Sequence, residues 1–261
     1  MEARPCAIMF FVNQEKESVN QMKKKSQRLD KVLSHVGIGT RKEIKKLVKA
    51  GRVRVNDEPA TNPGMHVFPF EDQIEVDHQP ILYREHIYLM MNKPQGVLSA
   101  TEDAFQEVVT DLLEPEHRVF SPFPVGRLDK DTEGLLLMTS DGKLAHQLLS
   151  PKKHIPKVYV ADIEGEVTEN DIHAFQTGIT LEDGYTTMPG DLHILHAGPQ
   201  STVEITIYEG KFHQIKRMFR ALGKKVLNLK RIRMGSLELD PDLAPGEYRE
   251  LTTGELNKLI K

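Results

Sequence analysis

Three short stretches carry residues whose types and spacing could do chemistry. The first is VGRLDKDTEGLLLMTSDGKL, where Asp129 precedes a TEGL turn and the apolar run Leu135 to Met138. A carboxylate on a tight loop beside a buried strand can serve as a nucleophile or proton acceptor. An aspartate that merely caps a turn gives the same local pattern. The second stretch is Lys157-Val158-Tyr159, at the start of a β-type run. A tyrosine there can stack on a base with its hydroxyl near the chemistry, or it can be a core residue. The third is EGKFHQIKRMF, from Glu209 to Phe219. Gly210 follows a β run and a basic helix starts at once. Lys216, Arg217 and Arg220 fall within about one helical turn. One can point inward to pair with a carboxylate while the others face phosphates.

These residues need a scaffold, and the hydrophobic pattern supplies a coarse one. Residues 27–35 read as a helix, with Leu29, Val32 and Leu33 on one face. Thr40 caps a second helix, and Glu43 completes a capping box. The inner face of that helix is Ile44, Leu47 and Val48, and Gly51 ends it. Val53 and Val55 alternate as a strand, Asn56-Asp57 makes a turn, and Asp72 to Val76 forms another strand. QPILYREH reads as a linker to a larger unit. Its strands are expected at Ile87–Asn92, Gly134–Thr139, Lys157–Ile163, Val203–Ile207 and Leu237–Leu239, with helices at 141–149, 168–177 and 211–222. There is no regular βαβ alternation, so the fold class is α+β with a mixed, mainly antiparallel sheet flanked by helices.

Composition narrows the function classes. No apolar run approaches the ~20 residues of a membrane span. The single cysteine, Cys6, excludes an internal disulfide and a cysteine-based zinc site, and it suits a reducing, cytoplasmic setting. The net charge of −3 hides a strong asymmetry. Met22 to Asn56 holds twelve Lys/Arg and two acids, and Glu209 to Arg233 holds nine and one. Asp57 to Leu82 holds six acids and no Lys/Arg. Two basic patches on an acidic body are what an RNA-binding surface looks like in sequence. Residues 1–21 differ from the rest and read as an extension without functional weight, with Met22-Lys23-Lys24-Lys25 resembling a natural start.

VGRLDKDTEGLLLMTSDG, SPKKHIPKVY, YEGKFHQIKRMFRALGKKV and LAPGEYRELT resemble, in order and spacing, the RsuA-type bacterial pseudouridine synthases. Met22 to about Asp77 resembles the S-four-like RNA-binding domain that precedes the catalytic domain in that family. The resemblance implies an RNA-binding domain at 22–82 and a catalytic domain at 83–261. It implies that Asp129 attacks a flipped-out uridine at C6 or C1′, or promotes loss of the base through a glycal. It makes Lys216 the cation that keeps Asp129 ionised, at a position where many relatives carry Arg. Tyr159 would pack on the base, Arg127 would hold the displaced strand open, and Leu229 would line the pocket. Arg28, Lys31, Arg41, Lys42, Lys45 and Lys46, with Arg217 and Arg220, would contact RNA phosphates. No cofactor or metal is implied, and the eleven scattered histidines form no HxxxH pair.

The implied substrate is a uridine in small-subunit ribosomal RNA, met in an assembly intermediate by a monomeric, cytoplasmic enzyme. SPKKHIPKVY points to the small subunit. The alternatives are the same reaction on large-subunit RNA and a non-catalytic ribosome-assembly factor. An RNA methyltransferase would need a Gly-rich nucleotide loop, which is lacking.

Overall fold

A computed structural model describes residues 25–260, so the expectations for residues 1–21 and for Met22 to Lys24 lie outside the described residues. The chain forms two compact units that divide between Glu85 and His86.

The first unit begins with helices α1 (Leu29–His35) and α2 (Arg41–Lys49). Thr40 Oγ1 accepts from the Glu43 amide at 3.3 Å, and Glu43 Oε2 accepts from the Thr40 amide at 2.8 Å. That is the expected capping box, and it fixes where α2 starts. A four-stranded sheet follows, built from β1 (Val53–Val55), β2 (Glu58–Pro59), β3 (Ile74–Val76) and β4 (Gln79–Pro80), in the order β2-β1-β3-β4. Leu29, Val32, Leu33, Ile44, Val48, Val53 and Val67 form the shared core. All of the expected linker except His86 belongs to this unit. Ile81 donates to the Ile74 carbonyl at 2.8 Å, and Tyr83 is buried in the core with its ring 5.1 Å from that of Phe70. The apolar body of Tyr83 therefore carries the boundary past Leu82.

The second unit is a large twisted sheet with helices. Its elements are β5 (Tyr88–Lys93), β6 (Glu133–Thr139), α3 (Gly142–Leu149), β7 (Lys157–Glu164), α4 (Glu169–Thr177), β8 (Asp191–His196), β9 (Gln200–Ile207), α5 (Gln214–Ala221), β10 (Lys225–Met234), β11 (Tyr248–Glu250) and α6 (Thr253–Ile260). The main path runs β8-β9-β7-β10-β6-β5-β11. Every pairing on that path is antiparallel except β10 with β6, which is parallel. The sheet is thus mixed and mainly antiparallel. Among the described residues, no helix is long and apolar enough to cross a membrane.

Strand β10 is the main departure from the sequence reading. KVLNLKRIRM carries four Lys/Arg and read as part of a basic patch, yet it lies at the centre of the sheet between β7 and β6. Strands β8 and β11 and helix α6 were likewise not expected. The seam between β10 and β6 is close. Gly134 has φ +101°, and a Cβ there would lie 2.3 Å from the Arg231 carbonyl oxygen. Gly134→Ala therefore meets both left-handed strain and a backbone collision that cannot relax by a rotamer change. We expect it to cost about 3 kcal/mol or more, read as a lowered urea midpoint with an unchanged slope.

Candidate active site

Asp129 sits on the loop that leads into β6, and the loop is held from beneath. Lys93, at the end of β5, is fully buried. Its Nζ donates to the carbonyls of Pro94 (2.9 Å), Asp129 (3.2 Å) and Thr132 (2.9 Å), and more weakly to that of Lys130 (3.4 Å). Ser99 Oγ donates to the Leu128 carbonyl at 2.9 Å and receives the Leu128 amide at 3.1 Å. The Thr132 amide closes a turn onto the Asp129 carbonyl at 3.0 Å. The backbone on both sides of Asp129 is pinned, which leaves its carboxylate to the cleft.

Helix α5 brings the opposing charge. Its first residue, Gln214, is buried and donates through Nε2 to Glu209 at 3.0 Å, while its Oε1 accepts the Lys211 amide at 2.9 Å. Glu209 also accepts from the Tyr185 hydroxyl at 2.6 Å and the Met188 amide at 2.9 Å. This network sets the start of α5. One face of the helix buries Ile215, Met218 and Phe219. Lys216 then reaches the Asp129 loop, with Nζ 3.3 Å from Asp129 Oδ2, and also hydrogen-bonds Asp131. Burial raises the Asp131 carboxyl, but the Lys216 hydrogen bond and charge outweigh it and hold the group below its ordinary value. His213 Nε2 lies 3.7 Å from Asp129 Oδ1, close enough for an ion pair when the ring is protonated.

The cleft floor comes from the sheet. Tyr159 on β7 lies opposite Arg231 on β10, so the two side chains share a face. Lys157 and Leu229, each two residues along, share that face as well. The cleft is lined by these four residues, by Arg127, Asp129 and Thr132 from the loop, and by Gln214 and Lys216 from α5. Its volume of about 180 Å³ lies below the range of drug-sized pockets, on the scale of a single small ring system.

The sequence-expected residues Asp129, Tyr159, Lys216, Arg127 and Leu229 thus come together. Arg127 is exposed at the mouth, while Tyr159 and Leu229 are buried. Arg217 does not share the exposure expected of a phosphate contact. It pairs with Glu182 at 2.8 Å and Asp183 at 2.5 Å, with its side chain only 13% exposed, because the 182–183 loop puts two acids within reach. Arg220 is exposed. In the first unit, Lys31, Arg41, Lys42, Lys45 and Lys46 are exposed, and Arg28 spends its guanidinium on Asp30 at 2.8 Å. Lys93, Asp131, Lys157, His213 and Arg231 were given no role from sequence. A lysine directly at the end of an apolar β run was the available signal for Lys93.

Similarity to known proteins covers both units. Residues 87–221 match the family model described as RNA pseudouridylate synthase, and residues 27–74 match the S4 domain. An RNA pseudouridine synthase of Bacillus subtilis, described as uncharacterized, is 54% identical over 89% of this chain and 98% of its own length. The ribosomal large subunit pseudouridine synthase B of Bacillus subtilis is 39% identical over 89% of this chain and 95% of its own. The ribosomal small subunit pseudouridine synthase A of Yersinia pestis is 38% identical over 88% of this chain and 96% of its own.

Two outcomes follow from the charges around Asp129. Lys216→Met should slow turnover roughly 100-fold, the scale of losing one positioned charge partner, while Lys216→Arg should keep most activity. Steady-state rates on RNA check this. Lys93 gives a pH dependence. Burial pushes it down to about 8 from its ordinary 10.5, against the pull of Asp131, Asp129 and Glu133 and with a small push from Lys216. Between these values the unfolded chain binds the extra proton. The stability tied to Lys93 is therefore fully present above about 10.5 and lost as the pH falls through about 8. Urea midpoints from pH 7 to 10.5 should show this rising component in the wild type and lack it in Lys93→Met.

Proposed function

The chain belongs to the RNA pseudouridylate synthase family, and from that premise we propose that it isomerises one uridine of ribosomal RNA, with Asp129 as the nucleophile. The observation that carries this reading is the Asp129–Lys216 pair at 3.3 Å, in a small cleft floored by Tyr159. A carboxylate nucleophile must stay charged while partly withdrawn from water, and a fixed ammonium group does that. The target base must leave its stack to reach Asp129, at a cost of a few kcal/mol. Tyr159 then packs on the flipped base and assists loss of the C5 proton. Arg127, exposed at the mouth, helps hold the displaced strand, and Leu229 packs against the base.

RNA affinity comes mainly from the first unit. Lys42, Lys45, Lys46 and Lys49 recur at helical spacing along the exposed side of α2, opposite buried Ile44 and Val48. With Lys31, Arg41 and the exposed part of Arg28, they suit the phosphates of structured RNA, with recognition mostly by shape.

The small subunit is the favoured substrate, met as an assembly intermediate in the cytoplasm. SPKKHIPKVY supports it, as does the 38% identical small-subunit relative. The 39% identical large-subunit relative supports a second reading, the same chemistry on large-subunit RNA. Pseudouridine mapping in ribosomal RNA from cells lacking the gene separates the two. One small-subunit site should disappear and return only with wild type, not with Asp129→Ala. A missing large-subunit site would favour the second reading. Persistence of every site, or rescue by Asp129→Ala, would contradict the catalytic assignment. Removing residues 22–80 should weaken RNA binding, and equal affinity for both forms would contradict the role given to the first unit.

A further inference from the structure

Among the described residues, three buried side-chain polar atoms have no hydrogen-bond partner: Asn92 Oδ1, Thr132 Oγ1 and Arg231 Nη2. Two of these three residues line the cleft that holds Asp129. A buried polar atom without a partner is costly, more so when charged, and it calls for an explanation such as a ligand or a catalytic role. Arg231 is only 2% exposed, and its Nε donates to the Leu135 carbonyl at 2.8 Å. That bond fixes the guanidinium and leaves Nη2 unused. Lys157 lines the same floor, its Nζ donating to the Ile155 carbonyl at 3.2 Å. Burial pushes the Lys157 ammonium down, and the charge of Arg231 pushes it the same way, with Glu209 opposing. Among the described residues, neither cation forms an ion pair. Two like charges on one floor, with a donor unused, call for an oxygen that carries negative charge.

We propose that Arg231 and Lys157 form an oxyanion site for a carbonyl oxygen of the target pyrimidine, stabilising the charge that reaches that oxygen during the reaction. This rests on the reading of Asp129 as the group that reacts with a flipped uridine. Either course of that reaction sends charge to the carbonyls. If Asp129 adds at C6, the C5–C6 π pair moves onto O4 as an enolate. If the bond from N1 to C1′ breaks, its electron pair stays on the base, spread over N1, O2 and O4. In either course the N1–C1′ bond breaks, the base turns and C5 bonds to C1′. Any bond Asp129 has formed, to C6 or to C1′, breaks with its electron pair returning to the carboxylate, the C5 proton leaves and N1 gains one. Atoms and electrons balance without an oxidant or co-reactant. A backbone phosphate is the other oxygen-rich ligand in RNA, but it would stay with the strand at the mouth, beside exposed Arg127. Arg231 is too buried for a strand to reach, and a flipped base can enter. Fixed donors aimed at developing charge raise turnover more than they raise affinity.

The test uses the full-length protein and the ribosomal RNA fragment that it modifies. The fragment carries uridine, 2-thiouridine or 4-thiouridine at the target position. Sulfur is a poor acceptor, so the wild type should slow markedly on one of the two thio substrates. Arg231→Gln and Lys157→Gln should each lower kcat about 100-fold with KM within about twofold, and Arg231→Gln should lose the thio effect. Lys157→Gln, at a less buried position, keeps the test valid if Arg231→Gln fails to fold. A thio effect that persists undiminished in the variants, or a loss of RNA affinity with kcat retained, would overturn the proposal. The second of these would indicate a phosphate contact. Asp129→Asn in the same assay reports separately on the nucleophile: activity there contradicts the Asp129 reading, while the thio effects still judge the oxyanion site.

Discussion

A reactive carboxylate has to keep its charge in a place that water only partly reaches, and the rest of the catalytic unit answers to that requirement. Asp129 and Lys216 come from different elements, a loop entering β6 and the first turn of α5. They meet at 3.3 Å because both backbones are fixed. Lys93 and Ser99 hold the loop through its own carbonyls and amide. Glu209 and Gln214 hold the helix start. Lys216 also serves Asp131, so the pair is one part of a small charge cluster. Removing the cation would leave the carboxylates of Asp129 and Asp131 without the ammonium group they share.

The sheet has a second, quieter role. The antiparallel register of β7 with β10 puts Tyr159 opposite Arg231, and alternation brings Lys157 and Leu229 to the same side. A slip of one residue would turn that whole set away from the cleft. The parallel seam of β10 with β6 passes so close to Gly134 that a side chain has no room there. Asp129 lies just before this seam and Arg231 lies within it. Asp129, the proposed nucleophile, and the cationic floor are therefore positioned by the same stretch of backbone.

Much of this was legible in the sequence, and the parts that were not share a physical reason. Thr40 and Glu43 announced a helix start because capping is local chemistry. Asp129, Tyr159 and Lys216 could be singled out because their motifs are dense and ordered. Strand β10 was hidden, since lysines and arginines in KVLNLKRIRM look like a solvated surface until the neighbouring strands are known. Arg231 shows why: its guanidinium is buried against the Leu135 carbonyl, a partner 96 residues away in sequence. Lys93 was hidden for the same reason, because its carbonyl partners belong to a loop that only the fold brings near. Arg217 looked like a phosphate contact from helical spacing alone, and the Glu182-Asp183 pair that claims it lies on a distant loop. Local signals survive in sequence, whereas pairings made by the fold do not.

The central claim is that Asp129 carries the chemistry and is not a mere turn residue. Forming the new bond at C5 expels the C5 hydrogen, so RNA tritiated at C5 of uridine releases tritium to solvent as it reacts. The decisive measurement is single-turnover tritium release by the purified wild type and by Asp129→Asn, with RNA affinity measured alongside. The account predicts release by the wild type and none above background by Asp129→Asn, with affinities within about twofold, as expected when a group acts mainly in the transition state. Release by Asp129→Asn at the wild-type rate would contradict it.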